Sequence, residues 1–172
     1  MPELILVRPA ESRDVDAIYQ LLLPFAEKKV LLPRTHDDLF QHLQEFIVAE
    51  REGGVVGVAA LHVYTSSYAE VRSLVVSAEH QGKGIGHLLV GAAEKLAAGL
   101  GIGRIFALTY VTGFFQSMGY KVVEKETLPH KIWTVCIHCA KFADCDEVAV
   151  QKRLSLASVE PVKPTPIVEE IV

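Results

Sequence analysis

Features that mark membrane and secreted proteins are scarce in this sequence. No stretch approaches the ~20 consecutive apolar residues of a transmembrane helix, and the first residues lack a basic segment followed by a long apolar core. The three cysteines, Cys136, Cys139 and Cys145, form an odd number within one short segment. Such a group is a poor disulfide framework and suits a reducing compartment. The sequence therefore predicts a cytoplasmic protein without a membrane partner.

A large excess of one charge is also missing. Lysine and arginine total 17 against 21 aspartate and glutamate residues, the net charge is −4, and the pI is near 6.0. This balance gives no general attraction to nucleic acid, so local basic residues must bind any anionic ligand. Half of the 172 residues are hydrophobic, which is enough for one packed core.

The chain reads as one domain followed by a tail. We expect a single catalytic domain over residues 1–154. Residues 155–172 contain three prolines and no aromatic residue, and this composition predicts a tail outside the core. The apolar end of the tail, 166–172, suggests a strand added to the sheet edge of a second copy, so a homodimer is a hypothesis.

Hydrophobic periodicity and turn residues predict a mixture of strands and helices. Thr35 is the predicted cap of a helix that extends to Phe46. Glu52-Gly53-Gly54 predicts the turn of an antiparallel hairpin. Strands are expected at 4–7, 47–51, 55–64, 70–77, 104–109 and 120–126, and helices at 12–24, 35–46, 88–98, 114–118 and 143–154.

The most informative segment is the loop Gln81-Gly82-Lys83-Gly84-Ile85-Gly86-His87. Its glycines lie between a valine-rich strand and a helix of alanine and leucine, where they let a ligand approach the backbone closely. Backbone N–H groups at a helix N-terminus, together with the helix dipole, bind anionic phosphate groups. Lys83 and His87 can add charge or a hydrogen bond. The loop therefore predicts a diphosphate site.

Two common phosphate-binding motifs do not fit this loop. A dinucleotide-binding fold needs Gly-x-Gly-x-x-Gly near its first strand, whereas this loop follows several predicted strands and has a different spacing. The phosphate loop of nucleotide hydrolases ends in Gly-Lys-Ser/Thr, which does not occur in this loop. A glycine turn that binds no ligand is the remaining alternative.

The segment 70–120 resembles the cofactor-binding core of the GNAT superfamily of N-acetyltransferases. Leu74-Val75-Val76, a four-residue gap and Gln81-Gly82-Lys83-Gly84-Ile85-Gly86 are similar to the Gln/Arg-x-x-Gly-x-Gly/Ala motif of that superfamily. The resemblance implies a mixed α/β fold with a mostly antiparallel, splayed sheet flanked by helices, and acetyl-CoA as cosubstrate. It also implies that backbone groups of Leu74, Val75 and Val76 flank the pantetheine and thioester, while amides of residues 82–87 hold the pyrophosphate.

The same fold splays the strand at 70–76 away from the strand at 104–109 after a β-bulge. Amides that the splay leaves unpaired can stabilise the negative charge that develops on the thioester oxygen. The alternative is an ordinary core strand followed by a tight turn.

Acetyl transfer to an amino acid needs a base, because the α-amine is largely protonated at neutral pH. Glu70 is the predicted base, and Arg72 falls on the same side of the strand. A surface pair between these two is the alternative, and Glu79 in the loop is a weaker candidate base. Many GNAT enzymes have a tyrosine acid where this chain has Phe115. Tyr110 is the predicted substitute, unless the thiolate leaves unaided or the tyrosine only covers the core.

Within the superfamily, residues 8–154 most resemble the short, stand-alone N-acetylglutamate synthases of bacterial arginine biosynthesis. The supporting segments are Arg8-Pro9-Ala10, Leu31-Leu32-Pro33-Arg34, Glu70-Val71-Arg72 and Leu128-Pro129-His130-Lys131. The resemblance implies L-glutamate as the small-molecule amine substrate, with Arg34 binding a carboxylate and Arg72 and Lys131 as further cationic contacts. For each cation, a solvated surface charge is the alternative.

The cysteine cluster is a candidate for zinc. Cys136, Cys139 and Cys145, with His138 between them, offer suitable ligands, and His130 or Asp146 could complete a site. The spacing lacks a second Cys-x2-Cys pair. We therefore expect no metal, and we interpret the cluster as free thiols that form a local staple or redox-sensitive patch.

Three functions remain open from the sequence. The favoured one is acetylation of the α-amine of an amino acid, with L-glutamate first. A second is acetylation of a protein N-terminus, a lysine or another small amine. The third is a non-catalytic CoA-binding sensor, which the phenylalanine at position 115 suggests. Fold alone cannot choose among them.

Overall fold

The computed structural model describes residues 4–129 and 146–156. The strands in these ranges are β1 (Leu6–Pro9), β2 (Phe46–Arg51), β3 (Gly54–Val63), β4 (Tyr68–Val76), β5 (Arg104–Thr109), β6 (Lys121–Val123) and β7 (Val148–Arg153). The helices are α1 (Val15–Glu27), α2 (His36–Gln41), α3 (Ile85–Gly99) and α4 (Thr112–Ser117). Short 3₁₀ turns lie at Ser12–Asp14, Leu43–Glu45, Ala78–His80 and Lys125–Thr127.

One sheet of seven strands organises the molecule. Its order is β1-β2-β3-β4-β5-β7-β6, and every neighbouring pair is antiparallel except β4 and β5, which are parallel. Side chains alternate between the faces of a strand, so β2 contributes to two cores. Ile47 and Ala49 pack toward α3, whereas Phe46 and Val48 pack toward α1 and α2. The predicted mixed α/β architecture is confirmed.

The two N-terminal helices differ in length from their predictions. α1 continues past Pro24 to Glu27, because a proline in the last helical turn removes only one hydrogen bond. Thr35 caps α2 as predicted, accepting a hydrogen bond of 3.1 Å from the Asp38 N–H. This helix nevertheless ends at residue 41, and Phe46 belongs to β2, where its fully buried ring supports the core beneath α1.

The strands β4 and β5 separate partway along their length. Within these two fully described strands, pairing covers only residues 68–70 of β4 and 104–106 of β5. Further along β4, Ala59 of β3 lies opposite two residues, Ser73 and Leu74, which defines a β-bulge. Ser73 has a φ of 54°, in the left-handed region that costs a non-glycine residue ~1 kcal/mol. The predicted bulge and splay are therefore both confirmed, and they leave an open seam in the sheet.

The last described element is a strand, so the predicted helix at 143–154 is wrong where the chain is described. β7 lies between β5 and β6 and pairs antiparallel with both. Its Ala149 and Val150 are both fully buried, because a central strand of a covered sheet is enclosed on both faces. A short apolar run of this kind has the same hydrophobicity in a helix and in a buried strand. Neighbouring strands, which the local sequence does not reveal, decide between the two.

The other C-terminal differences are small. The strand predicted at 120–126 is reduced to β6, because the chain turns into a 3₁₀ turn at Lys125–Thr127. The short helix predicted around 114–118 begins earlier, at Thr112, and ends before Gly119, whose φ is 89°. In the part of the chain that the structure describes, no helix is long and apolar enough to cross a bilayer.

Candidate active site

Three cavities follow β4 along the seam. The first, of about 110 Å³, lies at Glu70 and Arg72, and we call it the charged cavity. The second, of about 240 Å³, runs from Arg72 to Val75 and is the seam cavity. The third, of about 310 Å³, lies between Val76 and the glycine loop and is the loop cavity. The first two share several lining residues, so they form adjoining parts of one path along the strand.

The loop cavity presents backbone donors to open space. Gly84 precedes α3 with a φ of 83°, and Gly82 has a φ of 75°. A Cβ atom added at either glycine would meet no atom within 4 Å, so the protein itself does not fill this space. The first α-helical hydrogen bond runs from the Leu88 N–H to the Gly84 carbonyl, at 3.2 Å. The N–H groups of residues 85–87 precede it and, as in any helix, have no acceptor within the helix.

Side chains fix the position of the glycine loop. The Gln81 amide donates to the Val76 carbonyl at 3.1 Å, which ties the loop to the end of β4. The His87 ring packs edge-on against Phe114, with the ring centroids 4.7 Å apart. A Cβ atom at Gly86 would approach the same Phe114 ring to 3.2 Å, so any larger residue there would require this ring to shift by a few tenths of an ångström.

The predicted cofactor residues are divided between two cavities. The loop cavity is lined by Val76, His80, Gln81, Gly82, Gly84, Ile85, Gly86, His87 and Phe114. Leu74 and Val75 line the adjoining seam cavity. Lys83 is exposed on the loop and is not among the lining residues. The donor set of three helix N-terminal amides, in an open cradle of glycines, fits a diphosphate.

The seam cavity contains the predicted acid. Tyr110 follows β5, is 41% exposed and lines this cavity, and its role as the acid stays a prediction. Phe115 also contributes to the lining, but it is only 3% exposed and stacks edge-on against Tyr120 in the core. The ring at position 115 therefore has a packing role, and the hydroxyl that the resemblance would place there is absent.

Arg34 reaches the charged cavity from the segment between α1 and α2. Its side chain is only 11% exposed, donates to Asp38 at 2.9 Å and lies over the Phe46 ring at 5.3 Å. Burial lowers the pKa of this guanidinium, and the positive charge of Arg72 lowers it further. Two cations therefore lie in one partly buried space, where an anion between them would stabilise both.

Glu70 lies in the same cavity and is almost fully buried, at 8% exposure. Its Oε2 accepts a hydrogen bond of 2.8 Å from the Tyr64 hydroxyl. Burial raises the pKa of Glu70 above its ordinary value, although this hydrogen bond and the charges of Arg72, His62 and Arg34 act in the opposite direction. A carboxyl group with a raised pKa is a stronger base when ionised, as a general base near neutral pH requires.

The surface pair between Glu70 and Arg72 does not form. Arg72 instead donates to Glu45 at 3.2 Å, and His62 Nδ1 lies 2.9 Å from the other oxygen of Glu45. Glu79, the weaker candidate base, is exposed in a 3₁₀ turn and lines none of the three cavities. Of the predicted acid and base candidates, Glu70 and Tyr110 are therefore the ones placed at the seam.

Sequence reasoning missed Glu45, His62, Tyr64 and Glu147, although all four lie at or next to the charged cavity. A signal existed for two of them. In the register of β3 and β4, His62 lies opposite Glu70, and the Tyr64 N–H donates to the Tyr68 carbonyl across the connecting turn. Alternation along the two strands therefore places His62 and Tyr64 on the same face of the sheet as Glu70.

The remaining predicted residues lie outside the described ranges. Lys131, Cys136, Cys139 and Cys145 all fall in the gap between residues 129 and 146. Residues 4–129 and 146–156 contain no group of three or more His, Cys, Asp or Glu side chains that could hold a metal ion. The cysteine hypothesis, the third cation and the homodimer therefore stay predictions.

The comparisons with known proteins agree with this geometry. The model of the acetyltransferase (GNAT) family matches residues 14–120. An uncharacterized N-acetyltransferase of Chlorobaculum tepidum is 42% identical over 148 residues, which cover 86% of this chain and 96% of that protein. The amino-acid acetyltransferase of Mycobacterium tuberculosis is 35% identical over 158 residues, covering 90% of this chain and 87% of that protein.

A solved structure extends the comparison to ligands. The N-acetylglutamate synthase of Neisseria gonorrhoeae, complexed with coenzyme A and N-acetyl-glutamate, superposes with a TM-score of 0.81 at 28% sequence identity. The match covers 90% of this chain but only 36% of that longer protein. The similarity therefore concerns one part of the Neisseria synthase.

Proposed function

Because the chain belongs to the acetyltransferase (GNAT) family and is an acetyl-CoA-dependent N-acetyltransferase, we propose that its acceptor is the α-amine of L-glutamate. The proposal makes it an N-acetylglutamate synthase, which would place it in arginine biosynthesis. The amino-acid acetyltransferase of Mycobacterium tuberculosis and the Neisseria gonorrhoeae synthase complexed with N-acetyl-glutamate support this substrate.

The observation that carries the proposal is the pair of guanidinium groups in the charged cavity. Arg34 and Arg72 line the same small space, and each is less than one fifth exposed. Glutamate brings two carboxylates, and guanidinium groups bind carboxylates through paired, charge-assisted hydrogen bonds. Each guanidinium has five N–H donors, so the ion pairs of Arg34 with Asp38 and of Arg72 with Glu45 leave donors for a substrate carboxylate, which a lysine side chain or a peptide N-terminus does not bring. The cavity therefore favours an acidic amino acid over the protein acceptors.

In the proposed mechanism Glu70 activates the amine. The substrate ammonium gives one proton to Glu70, and the neutral amine then attacks the carbonyl carbon of the acetyl group. Acetyl-CoA supplies that acetyl group as a thioester. The C–N bond forms as the C–S bond breaks, and the second proton of the nitrogen accompanies the departing thiolate. In the proposed mechanism Tyr110, at the seam cavity, relays this second proton: its hydroxyl protonates the thiolate sulfur and is itself reprotonated from the nitrogen.

The backbone of β4 has two tasks in this mechanism. Beyond Glu70, its edge is not paired with β5, so N–H groups near the bulge at Ser73 are available to the thioester oxygen. The N–H groups at the start of α3 hold the pyrophosphate at the far end of the seam. A ligand that spans both ends is thereby aligned along the strand.

Substrate profiling tests the proposal. Purified protein is incubated with acetyl-CoA and separately with L-glutamate, L-glutamine, L-aspartate and L-lysine, and both released thiol and product mass are measured. We expect L-glutamate to have the highest kcat/KM, with L-glutamine at least ~10-fold lower because it loses a charge-assisted contact. Turnover with another amine and none with glutamate would remove the assignment.

A further inference from the structure

The hydroxyl of Tyr64 makes a short hydrogen bond to the buried carboxylate of Glu70. Tyr64 follows the end of β3, and its hydroxyl donates to Glu70 Oε2 at 2.8 Å. Its ring packs edge-on against His62 at 4.7 Å and tilted against Phe106 at 5.8 Å, so aromatic contacts fix it on two sides. A hydrogen bond from such a fixed donor selects one orientation of the carboxylate.

We propose that Tyr64 is the positioning residue of the catalytic base: its hydroxyl occupies one oxygen of Glu70, keeps that carboxylate ionised, and leaves the other oxygen to take the proton of the substrate amine. This inference rests on the proposed function, because it assumes that Glu70 is the base. It names a residue outside the predicted catalytic set and assigns it a role that acts only through Glu70.

The charged groups around Glu70 come from several elements. His62 faces it from β3, Arg72 from β4 and Arg34 from the segment before α2, while Glu147 lines the same cavity ahead of β7. Three of these four groups carry or can carry positive charge and favour the ionised carboxylate. Among the groups of residues 4–129 and 146–156 that act on Glu70, the Tyr64 hydroxyl is the one that makes a direct hydrogen bond.

Glu45 keeps the nearest cations in place behind the base. His62 Nδ1 lies 2.9 Å from one Glu45 oxygen and 3.2 Å from the Arg72 guanidinium. One nitrogen cannot both donate to the carboxylate and accept from the guanidinium, and the shorter contact assigns the hydrogen to Nδ1. Burial alone would raise the pKa of Glu45, yet the hydrogen bond and charge of His62 and the charge of Arg72 keep it low. This ionised carboxylate anchors Arg72 beside Glu70.

The pH profile of kcat/KM tests the role of Tyr64. In Tyr64→Phe the ring remains but the hydrogen bond to the ionised carboxylate is lost, so we expect the acidic limb to move up by about one pH unit. The KM for acetyl-CoA should not change. Tyr68→Phe is the matched control, because Tyr68 also packs on Phe106 and its hydroxyl accepts a 2.6 Å hydrogen bond from Arg104. In Tyr68→Phe the acidic limb of the kcat/KM profile should stay at its wild-type pH.

A second readout does not depend on activity. Carboxyl-carbon NMR of protein labelled at glutamate follows the titration of Glu70, assigned by the signal that disappears in Glu70→Gln, and Tyr64→Phe should move its midpoint upward. The inference would be overturned if Tyr64→Phe changed neither the titration midpoint of Glu70 nor the acidic limb of kcat/KM. Equal changes of both quantities in Tyr68→Phe would overturn it as well. If Glu70→Gln keeps full activity, the assignment of the base fails and takes the catalytic role of Tyr64 with it. If glutamate is simply not the acceptor, the NMR titration still decides whether Tyr64 controls Glu70.

Discussion

The two ends of the β4–β5 seam present different kinds of hydrogen-bond donor to a negatively charged ligand. At the glycine loop the donors are backbone N–H groups of residues 85–87, exposed by Gly82 and Gly84 at the start of α3. At the charged cavity the donors are the guanidinium groups of Arg34 and Arg72, accompanied by the buried carboxylate of Glu70. Backbone donors keep one protonation state at every pH, whereas the side-chain charges must be desolvated and compensated by neighbours.

Because of this difference, the two ends of the seam need different kinds of structural support. The loop end requires a special backbone conformation at two glycines, and contacts of Gln81 and His87 hold the loop in place. The charged end requires a supporting network, in which Glu45 holds Arg72 and Tyr64 holds Glu70. We therefore expect changes at the charged cavity to alter chemistry and pH dependence strongly, and changes at the loop to alter cofactor affinity and stability mildly.

The largest effect is expected from Glu70→Gln. Loss of a general base typically lowers the rate by ~10²- to 10⁴-fold, and kcat with L-glutamate should fall in this range. The affinity for acetyl-CoA, measured by calorimetry, should stay the same because the loop donors are untouched. Glu79→Gln removes an exposed carboxylate near the same strand and should retain full activity. If Glu79→Gln lowered kcat more than Glu70→Gln, the base would lie at the loop end, and the contrast between the two ends would be wrong.

Arg34→Lys should have the next largest effect. The lysine keeps the positive charge but loses the planar fork that grips a carboxylate, so the KM for L-glutamate should rise by ~10- to 100-fold. Arg104→Lys is the control, since both arginines lie 5.3 Å above an aromatic ring and only Arg34 lines the charged cavity. An equal rise in both variants would indicate lost packing instead of lost carboxylate binding.

The same contrast explains what the sequence could predict. The loop site is contiguous, because Gly82, Gly84 and Gly86 follow one another at a strand-to-helix junction, so local pattern and physical reasoning are enough to predict it. The charged cavity combines residues 34, 64, 70, 72 and 147. Arg34 and Arg72 entered the prediction through a family resemblance and strand alternation. Glu45 and Glu147 lie far from Glu70 along the chain, and only the folded sheet brings them near it.

The error in β7 has a related cause. The prediction used the local hydrophobic pattern of 143–154, which does not include the strands on either side. Once β5 and β6 enclose this segment, Ala149 and Val150 are buried on opposite faces and the extended conformation gains pairing on both edges. The start of this strand also brings Glu147 to the seam. This carboxylate was missed because the strand that positions it was predicted as a helix.

A pair of glycine substitutions compares the loop with a helix and should have a moderate effect. Gly84→Ala places a Cβ at a φ of 83°, which should cost ~1 kcal/mol of stability and weaken acetyl-CoA binding. Gly91→Ala, in the interior of α3, also meets no atom within 4 Å, but it has no positive φ. It should gain up to ~1 kcal/mol from helix propensity. If both variants shifted the Tm in the same direction, backbone conformation would not distinguish the glycine loop from the interior of α3.

Burial of Glu70 should also make the stability of the folded protein depend on pH. Burial raises the folded-state pKa of Glu70, so the folded protein holds a proton that the unfolded chain releases above its ordinary pKa of 4.5. Wild-type stability should therefore fall as the pH rises from 4.5 through the folded-state pKa, by ~1.4 kcal/mol for each pH unit that separates the two values. Glu70→Gln carries no such charge, so its Tm should exceed that of wild type by a few degrees at neutral pH and approach it below pH ~4.5. For Glu79→Gln, at an exposed position, the difference in Tm from wild type should not grow with pH. If the difference for Glu70→Gln also stayed constant with pH, the carboxylate of Glu70 would not be desolvated.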